Sequence, residues 1–502
     1  DLLLRLRRPG HLAADAYQQL RAAILDGRLA SGERLPATRE LAARLSVSRN
    51  TVLEAYQRLG AEGFLAGRVG AGTFVATSVS AAARRAPPGR ALRPREFWAR
   101  LPPPPAPPSA PVPFDFQLGA PDPGLFPWDA WRGLVARELR GRRLEAGYAP
   151  PEGEPRLREA IAHHLGLARS VVAGADDVIV TAGAQQALDL IARVLLSPGD
   201  CAAVEEPGYP PAWHLLRSHG ARVVPVPVDG EGLVVSALPD EARLVYVTPS
   251  HQFPLGVPLS LRRRLELLAW SRRRGAAIVE DDYDSEFRFD GRPLEPLQNL
   301  DRQGRVLYVG TFSKVLLPGL RLGFVVAPRS LAPALRAARG LADSHSPPAL
   351  QRALAAFIAE GLLARQVRRA LRVYGERRRA LREGLERELG GRAEVLHGVA
   401  GLHLSLHLAG PDLDVTALAT RSLALGVRVE PLASYHRLAP RLGLALGYGA
   451  IPVERIPEGL ARLAAALTDT ASTGSSPRPR GRRPRASGAG RGGPSRTPGG
   501  RG

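Results

Sequence analysis

The chain has no methionine, one cysteine, one lysine and no apolar run of membrane-spanning length. Each shortage excludes something. A lone Cys201 rules out a disulfide framework within the chain, so its thiol is expected in a core and the protein in a reducing, cytoplasmic setting. A spanning helix needs about 20 predominantly apolar residues. The Leu2–Leu6 stretch is too short for a signal sequence and is broken by Arg5, Arg7 and Arg8. With no methionine even at position 1, the native start stays open. The shortage of lysine says most, because 69 residues are lysine or arginine and all but Lys314 are arginine. Salt bridges, phosphate contacts and solubility are open to both residue types. A guanidinium, however, stays protonated and forms no imine with an aldehyde, whereas a lysine amine can. Lys314 is therefore a candidate for chemistry, with a residual surface lysine as the alternative.

What is present sets the scale. At 502 residues and 44% hydrophobic content the chain is expected to hold more than one domain and at least one sizeable core. A net charge of +21 favours an anionic partner, nucleic acid first and a membrane surface second.

Residues 10–76 read as a small DNA-binding domain. Residues 12–28 carry Ala16, Leu20, Ala23 and Ile24 on one helical face, and a second helix runs through Leu45 with Thr38 able to cap its start. After the turn Ser46-Val47-Ser48, residues 50–62 form a third helix with Val52, Ala55, Tyr56 and Leu59 on one side. This is a helix-turn-helix pattern in which Ser48, Arg49, Asn50 and Thr51 meet the major groove. Two glycine-joined strands over 63–75 make a wing with Arg68 near its tip. A plain three-helix domain is the alternative. The segment LPATRELAARLSVSRNTVLEAYQRLGAEGFL with the following GTFV hairpin resembles the winged helix-turn-helix of the GntR family of bacterial regulators. That resemblance implies contacts to double-stranded DNA from Arg39 and Arg49, from Ser48 and Thr51 at phosphates or base edges, and from Arg68 in the wing.

Residues 77–113 turn to Ala, Arg and Pro and end in LPPPPAPPSAPVP, an extended spacer without a core. From 114 to 330, helix-like stretches alternate with apolar strands at 178–180, 202–204, 223–226, 244–247, 277–279, 306–309 and 324–326. Such alternation makes an open, mostly parallel α/β sheet whose ligands sit beyond the carboxyl ends of the strands. Polar clusters fall there: Ala184 and Gln185 at a helix start, Tyr209 after Glu205-Glu206, Asp281 and Tyr283 in EDDY, and Lys314 in TFSKVLLPGLRLGF. An aldehyde cofactor bearing a phosphate and a pyridine nitrogen needs that set: an amine, an anion-binding helix terminus, a carboxylate and a phenol. Residues 331–467 form a smaller C-terminal α+β domain. Its run from Gln351 to Leu389 carries Arg368, Arg369, Arg377, Arg378 and Arg379 as a solvated face or a second DNA surface. Residues 468–502, rich in Gly, Ser, Pro and Arg, are expected to be a disordered basic tail.

Residues 114–467 resemble a fold-type I, pyridoxal-phosphate-dependent aminotransferase, and the domain order resembles the MocR/GabR/PdxR subfamily of GntR regulators. The resemblance implies pyridoxal 5′-phosphate as cofactor, with Lys314 as the internal-aldimine lysine. It pairs Asp281 with the pyridine nitrogen, Tyr283 with the ring hydroxyl and Tyr209 with the ring face. Ala184, Gln185, Thr311, Ser313 and Arg321 match the phosphate cup, and Tyr148 matches a tyrosine that reaches the neighbouring subunit of a homodimer. No metal is implied. Two departures stand out. Phe253-Pro254-Leu255-Gly256 replaces an Asn-Pro-Thr-Gly turn, and the strand Leu444–Tyr448 lacks the arginine that clamps a substrate carboxylate, leaving Arg428 or Arg437 as candidates. The expected function is a cytoplasmic regulator that senses the cofactor, or an amine or amino-acid ligand, through Lys314 and alters the spacing of paired winged-helix domains. An active aminotransferase with an appended DNA-binding domain is one alternative, and a DNA-binding protein with a dead site is another.

Overall fold

A computed structural model describes residues 11–68, 70–76, 92–101, 111–140, 147–291, 294–396, 398–410, 413–438 and 441–473. The chain divides into two compact units between residues 103 and 104. Most of the expected spacer, at 77–91 and 102–110, and the tail from 474 onward lie outside the described residues.

The first unit is built from α1 (Leu12–Leu25), α2 (Thr38–Leu45), α3 (Arg49–Ala61) and the hairpin β1 (Leu65–Arg68) and β2 (Gly72–Val75). Its core holds the residues that the helical periodicity places inward, Ala16, Leu20, Ala23, Ile24, Val52, Ala55, Tyr56 and Leu59, joined by Leu41, all buried. Burying each large aliphatic side chain there stabilises the unit by about 1.5–3 kcal/mol. Tyr17 on α1 donates its hydroxyl to Glu62 at 2.6 Å, and Arg58 lies over its ring at 4.0 Å, joining α1 to the end of α3. The start of α2 differs from expectation. Thr38 is the first helical residue and Ala37 precedes it, with no side-chain cap, so the Thr38 hydroxyl is one position too late for that role. Ser46 closes α2 in the left-handed region, at φ 55°, and turns the chain into α3 within two residues.

The second unit opens with β3 (Phe114–Asp115) and holds an eight-stranded sheet. The strands of that sheet are β4 (Val178–Thr181), β5 (Cys201–Glu206), β6 (Arg222–Asp229), β7 (Gly232–Leu233), β8 (Ala242–Val247), β9 (Ala277–Asp282), β10 (Val306–Thr311) and β11 (Gly323–Val326). Their order is β4-β11-β10-β9-β8-β5-β6-β7, with β10, β9, β8, β5 and β6 parallel and β11 and β7 antiparallel to their neighbours. Alternate residues of β5 serve opposite faces: Ala202 and Val204 pack with the helices Ala184–Leu195 and Ala332–Asp343, while Cys201 and Ala203 pack with the helix Leu261–Arg274. With both faces covered, the strands read as unbroken apolar runs, which is why they were legible. Cys201 is a free, buried thiol.

The smaller part carries β12 (Ala393–Val395), β13 (His403–Leu408), β14 (Val427–Arg428), β15 (Glu430–Pro431) and β16 (Gly443–Gly447). Antiparallel β12-β13-β16-β15 forms a sheet, and β14 pairs with β3, so Phe114 begins the unit beside Val427. The expected long helix is two, Pro348–Ala359 and Leu362–Leu389, separated at Gly361, whose φ of 71° leaves the helical region. Its arginines are not one solvated face. Arg368, Arg369 and Arg379 are exposed, whereas Arg377 and Arg378 are buried and pair with Asp122 at 2.5 Å and Asp290 at 2.7 Å. Arginine in a helical pattern reads as surface unless its distant carboxylate is known. The last helix runs from Ile456 to Thr473, and among the described residues no helix is long and apolar enough to cross a membrane.

Candidate functional site

In the first unit, Ser48 caps α3: its Oγ accepts from the Thr51 amide at 3.2 Å and lies 2.8 Å from the Thr51 hydroxyl. Both hydroxyls expected at DNA are thus also engaged in holding the first turn of α3. Arg49 follows the cap as the first helical residue, and Arg39 sits on α2; both are exposed. The start of α3 presents backbone amides and a partial positive charge, which suits a phosphate. Arg68 ends β1 beside the wing turn, with its guanidinium 4.8 Å from the centre of the Phe74 ring.

In the second unit, a cavity of about 470 Å³ opens at the carboxyl ends of the parallel strands. It is lined by Ala184, Gln185, Tyr209, Asp281, Tyr283, Thr311, Ser313, Lys314 and Arg321, which come from the ends of four strands, β4, β5, β9 and β10, and the connections that follow them. One end is built for an anion. Gly183 takes φ 95° to turn β4 into the helix Ala184–Leu195, and a Cβ there would stand 3.0 Å from the Arg321 guanidinium. Thr311 Oγ1 accepts from the Ser313 amide at 3.2 Å, and its hydroxyl donates to Ser313 Oγ at 3.0 Å. Arg321 donates to the Ala182 carbonyl from a left-handed backbone at φ 49°.

Lys314 stands in the turn after β10. Its Nζ donates to the Gly119 carbonyl at 2.8 Å; Gly119 takes φ 66°, and a Cβ there would lie 2.4 Å from that nitrogen and displace it. Burial pulls the ammonium's pKa down, against the pull of Asp284 and Asp281, so a neutral, nucleophilic amine is more accessible than in water. Asp281 is buried at the end of β9. Its Oδ2 accepts from the Tyr246 hydroxyl at 2.7 Å, and its Oδ1 is buried without a partner among the described residues. Burial pushes this carboxyl up to about 7. A protonated ring nitrogen would give that oxygen a charge-assisted bond and hold the carboxylate ionised. Tyr283 donates to the His251 carbonyl at 3.0 Å, and burial raises its phenol well above the ordinary range.

Several lining or supporting residues escaped the sequence reading. Tyr246 supports Asp281, and its polar tip in an otherwise apolar strand was the available signal. His251 Nδ1 lies 3.1 Å from Asp284 and 3.0 Å from the Tyr283 hydroxyl, while His403 Nε2 lies 2.9 Å from the Pro254 carbonyl. One atom from each of His251, Asp284 and His403 falls within 4.8 Å of the others; His251 Nδ1, Asp284 and His403 Nε2 are engaged by these hydrogen bonds, while His251 Nε2 is buried without a partner among the described residues, and Gly401 packs directly on His251. The cluster braces Tyr283. Phe253 stands edge-on to Tyr209 at 5.6 Å and to Tyr435 at 5.1 Å, an apolar wall where the resemblance places an asparagine.

Two expected residues are placed elsewhere. Arg428 pairs with Asp115 at 3.2 Å, and Arg437 lies over Trp213 at 5.7 Å; neither lines the cavity. Tyr148 is exposed, its ring 6.0 Å from that of His345.

Residues 12–75 match the model of the bacterial regulatory proteins of the gntR family, and residues 119–427 match that of aminotransferase class I and II. The chain is 40% identical over 470 residues to the probable rhizopine catabolism regulatory protein MocR of Rhizobium meliloti, covering 92% of this chain and 94% of that one. It is 33% identical to the pyridoxine biosynthesis transcriptional regulator PdxR of Corynebacterium glutamicum, over 93% and 98% of the two chains. The second unit is similar to the α-aminoadipate aminotransferase LysN of Thermus thermophilus, solved with N-(5′-phosphopyridoxyl)-L-leucine. That likeness has a TM-score of 0.66 and 32% identity, and it covers 72% of this chain and 93% of LysN.

Proposed function

Since this chain belongs to the MocR branch of the GntR-family regulators, a DNA-binding helix-turn-helix fused to an aminotransferase-like domain, we propose that it binds pyridoxal 5′-phosphate at Lys314 and adjusts its hold on DNA accordingly. The observation that carries the reading is the pairing, in one cavity, of the sole lysine with a buried carboxylate whose Oδ1 has no partner among the described residues. When bound, the cofactor supplies an aldehyde for the Lys314 amine and a ring that withdraws electrons from it. Asp281 would hold the pyridine nitrogen protonated, Tyr283 would face the ring hydroxyl and Tyr209 the ring. Ala184 and Gln185 amides, the Thr311 and Ser313 hydroxyls and Arg321 would hold the phosphate. The same reading has two chains pairing in the cytoplasm, Tyr148 reaching the partner's site, and Arg39, Ser48, Arg49, Thr51 and Arg68 meeting double-stranded DNA.

An amine or amino-acid ligand would enter the cavity beside Lys314, and the regulator would respond if its binding favoured one DNA-binding state. A ligand with equal affinity for both states shifts nothing. A working aminotransferase is the second reading, supported by the presence of Lys314, Asp281 and Tyr283 together in the cavity. The lack, among the described residues, of an arginine at its ligand end weighs against it.

The test is chemical. The purified chain incubated with pyridoxal phosphate should absorb in the visible, and borohydride should fix the cofactor to the peptide containing Lys314. A reduced adduct found nowhere, at saturating cofactor, overturns the proposal.

A further inference from the structure

Beyond the residues already named, the cavity is lined by Glu430, Tyr435 and Gln117. Glu430 lies on β15 directly across from Ala445 on β16, so the strand expected to carry a clamping arginine carries a methyl group there, and its neighbour is a carboxylate. The cations are committed elsewhere. Arg321 is at the anion end on the Ala182 carbonyl, Lys314 is the reactive amine, and Arg428 is matched by Asp115 at 3.2 Å. Burial raises the Glu430 carboxyl, with Arg428 opposing and Asp115 adding to the rise, and the Tyr435 phenol shares one hydrogen bond with it. A carboxylate can accept about four hydrogen bonds, so Glu430 keeps acceptor capacity toward the cavity. An incoming carboxylate would meet like charge there, whereas an ammonium or hydroxyl would meet an acceptor.

We propose that this cavity selects a primary amine whose far end carries an ammonium or hydroxyl in place of a carboxylate, and that Glu430 makes the selection. The inference rests on the cofactor reading above and names the ligand class for the same site. Glu430 receives the far-end donor, Tyr435 orients its carboxylate, and Phe253 packs against the carbon chain between that end and Lys314.

The test uses the full chain loaded with pyridoxal phosphate and three four-carbon primary amines: putrescine, aminobutanol and γ-aminobutyrate. Dissociation constants come from visible absorbance and from calorimetry, at one pH and ionic strength. Putrescine and aminobutanol are expected to bind at least tenfold more tightly than γ-aminobutyrate, beyond the twofold that putrescine's two equivalent ends provide. Glu430→Gln, which keeps shape and removes charge, should reduce putrescine's margin over γ-aminobutyrate to a few-fold or less. Equal or tighter binding of γ-aminobutyrate by the loaded parent, or an unchanged margin in Glu430→Gln, overturns this inference alone. A chain that takes up no cofactor overturns the preceding proposal and this one with it.

Discussion

Replacing Asp281 by asparagine gives a pH signature that follows from burial. The carboxyl is 4% exposed and pushed up from its ordinary 3.8 to about 7, with burial as the largest cause. A carboxyl raised in this way binds its proton more tightly folded than unfolded. Its contribution to stability is therefore full below the unfolded value and is lost as pH climbs through the folded one. Across a gap of about 3 units, at about 1.4 kcal/mol per unit, the loss is bounded near 4 kcal/mol, of which roughly 2–3 kcal/mol develops between pH 5 and 8. Asparagine does not titrate. It still accepts from Tyr246, but its amide NH₂ replaces the partnerless oxygen and costs about 1–3 kcal/mol at every pH. Without cofactor, Asp281→Asn should be less stable than the parent near pH 5 and should recover most of that deficit near pH 8. Urea unfolding of the cofactor-free full chain at the two pH values measures this. Glu205, Glu280 and Glu286 are also pushed to about 7 by burial, so both chains lose stability as pH rises and the comparison lies in the difference of slopes. An equal deficit at both pH values would refute the argument.

Other outcomes follow from the same geometry. Arg49→Ala should cost about 1–3 kcal/mol and relax preference at one base pair if it reads a base, or weaken all DNA alike with a shallower salt slope if it holds a phosphate; parent-like affinity for operator and random DNA would remove Arg49 from the groove. Ser48→Ala deletes the cap on α3 and should cost about 1 kcal/mol, seen as roughly fivefold faster hydrogen exchange at the Thr51 amide. Complete conversion of an amine to its carbonyl product should stay below about 1 s⁻¹, because Phe253 offers no hydrogen bond and no arginine lines the ligand end among the described residues. Steady turnover at tens per second would favour the aminotransferase reading.

How much could be read from the sequence depended on how far along the chain a site's parts are spread. Asp281 and Tyr283, or Thr311, Ser313 and Lys314, sit within a few residues at one strand end, so a short motif announces them. Tyr246 and Asp281, by contrast, come from adjacent parallel strands joined through a helix, and no local pattern pairs them. Glu430 and Tyr435 were missed for the same reason: they reach the cavity from the smaller part's sheet and the turn after it. Arg377 and Arg378 carry a further lesson, since charge in a helical repeat reads as surface until carboxylates at Asp122 and Asp290 are seen to bury it. The aliphatic positions of α1 and α3 needed no such knowledge, because one apolar stripe at helical spacing has only one face to hide.

The central claim is that cofactor chemistry at Lys314 governs the hold on DNA. It is tested most directly by measuring operator affinity of the full chain with and without saturating pyridoxal phosphate, in the parent and in Lys314→Ala, on an operator selected from random duplexes. The cofactor is expected to change the parent's dissociation constant by at least about fivefold, a coupling near 1 kcal/mol, and to leave that of Lys314→Ala nearly unchanged. A parent that binds its operator equally well with and without the cofactor would contradict it.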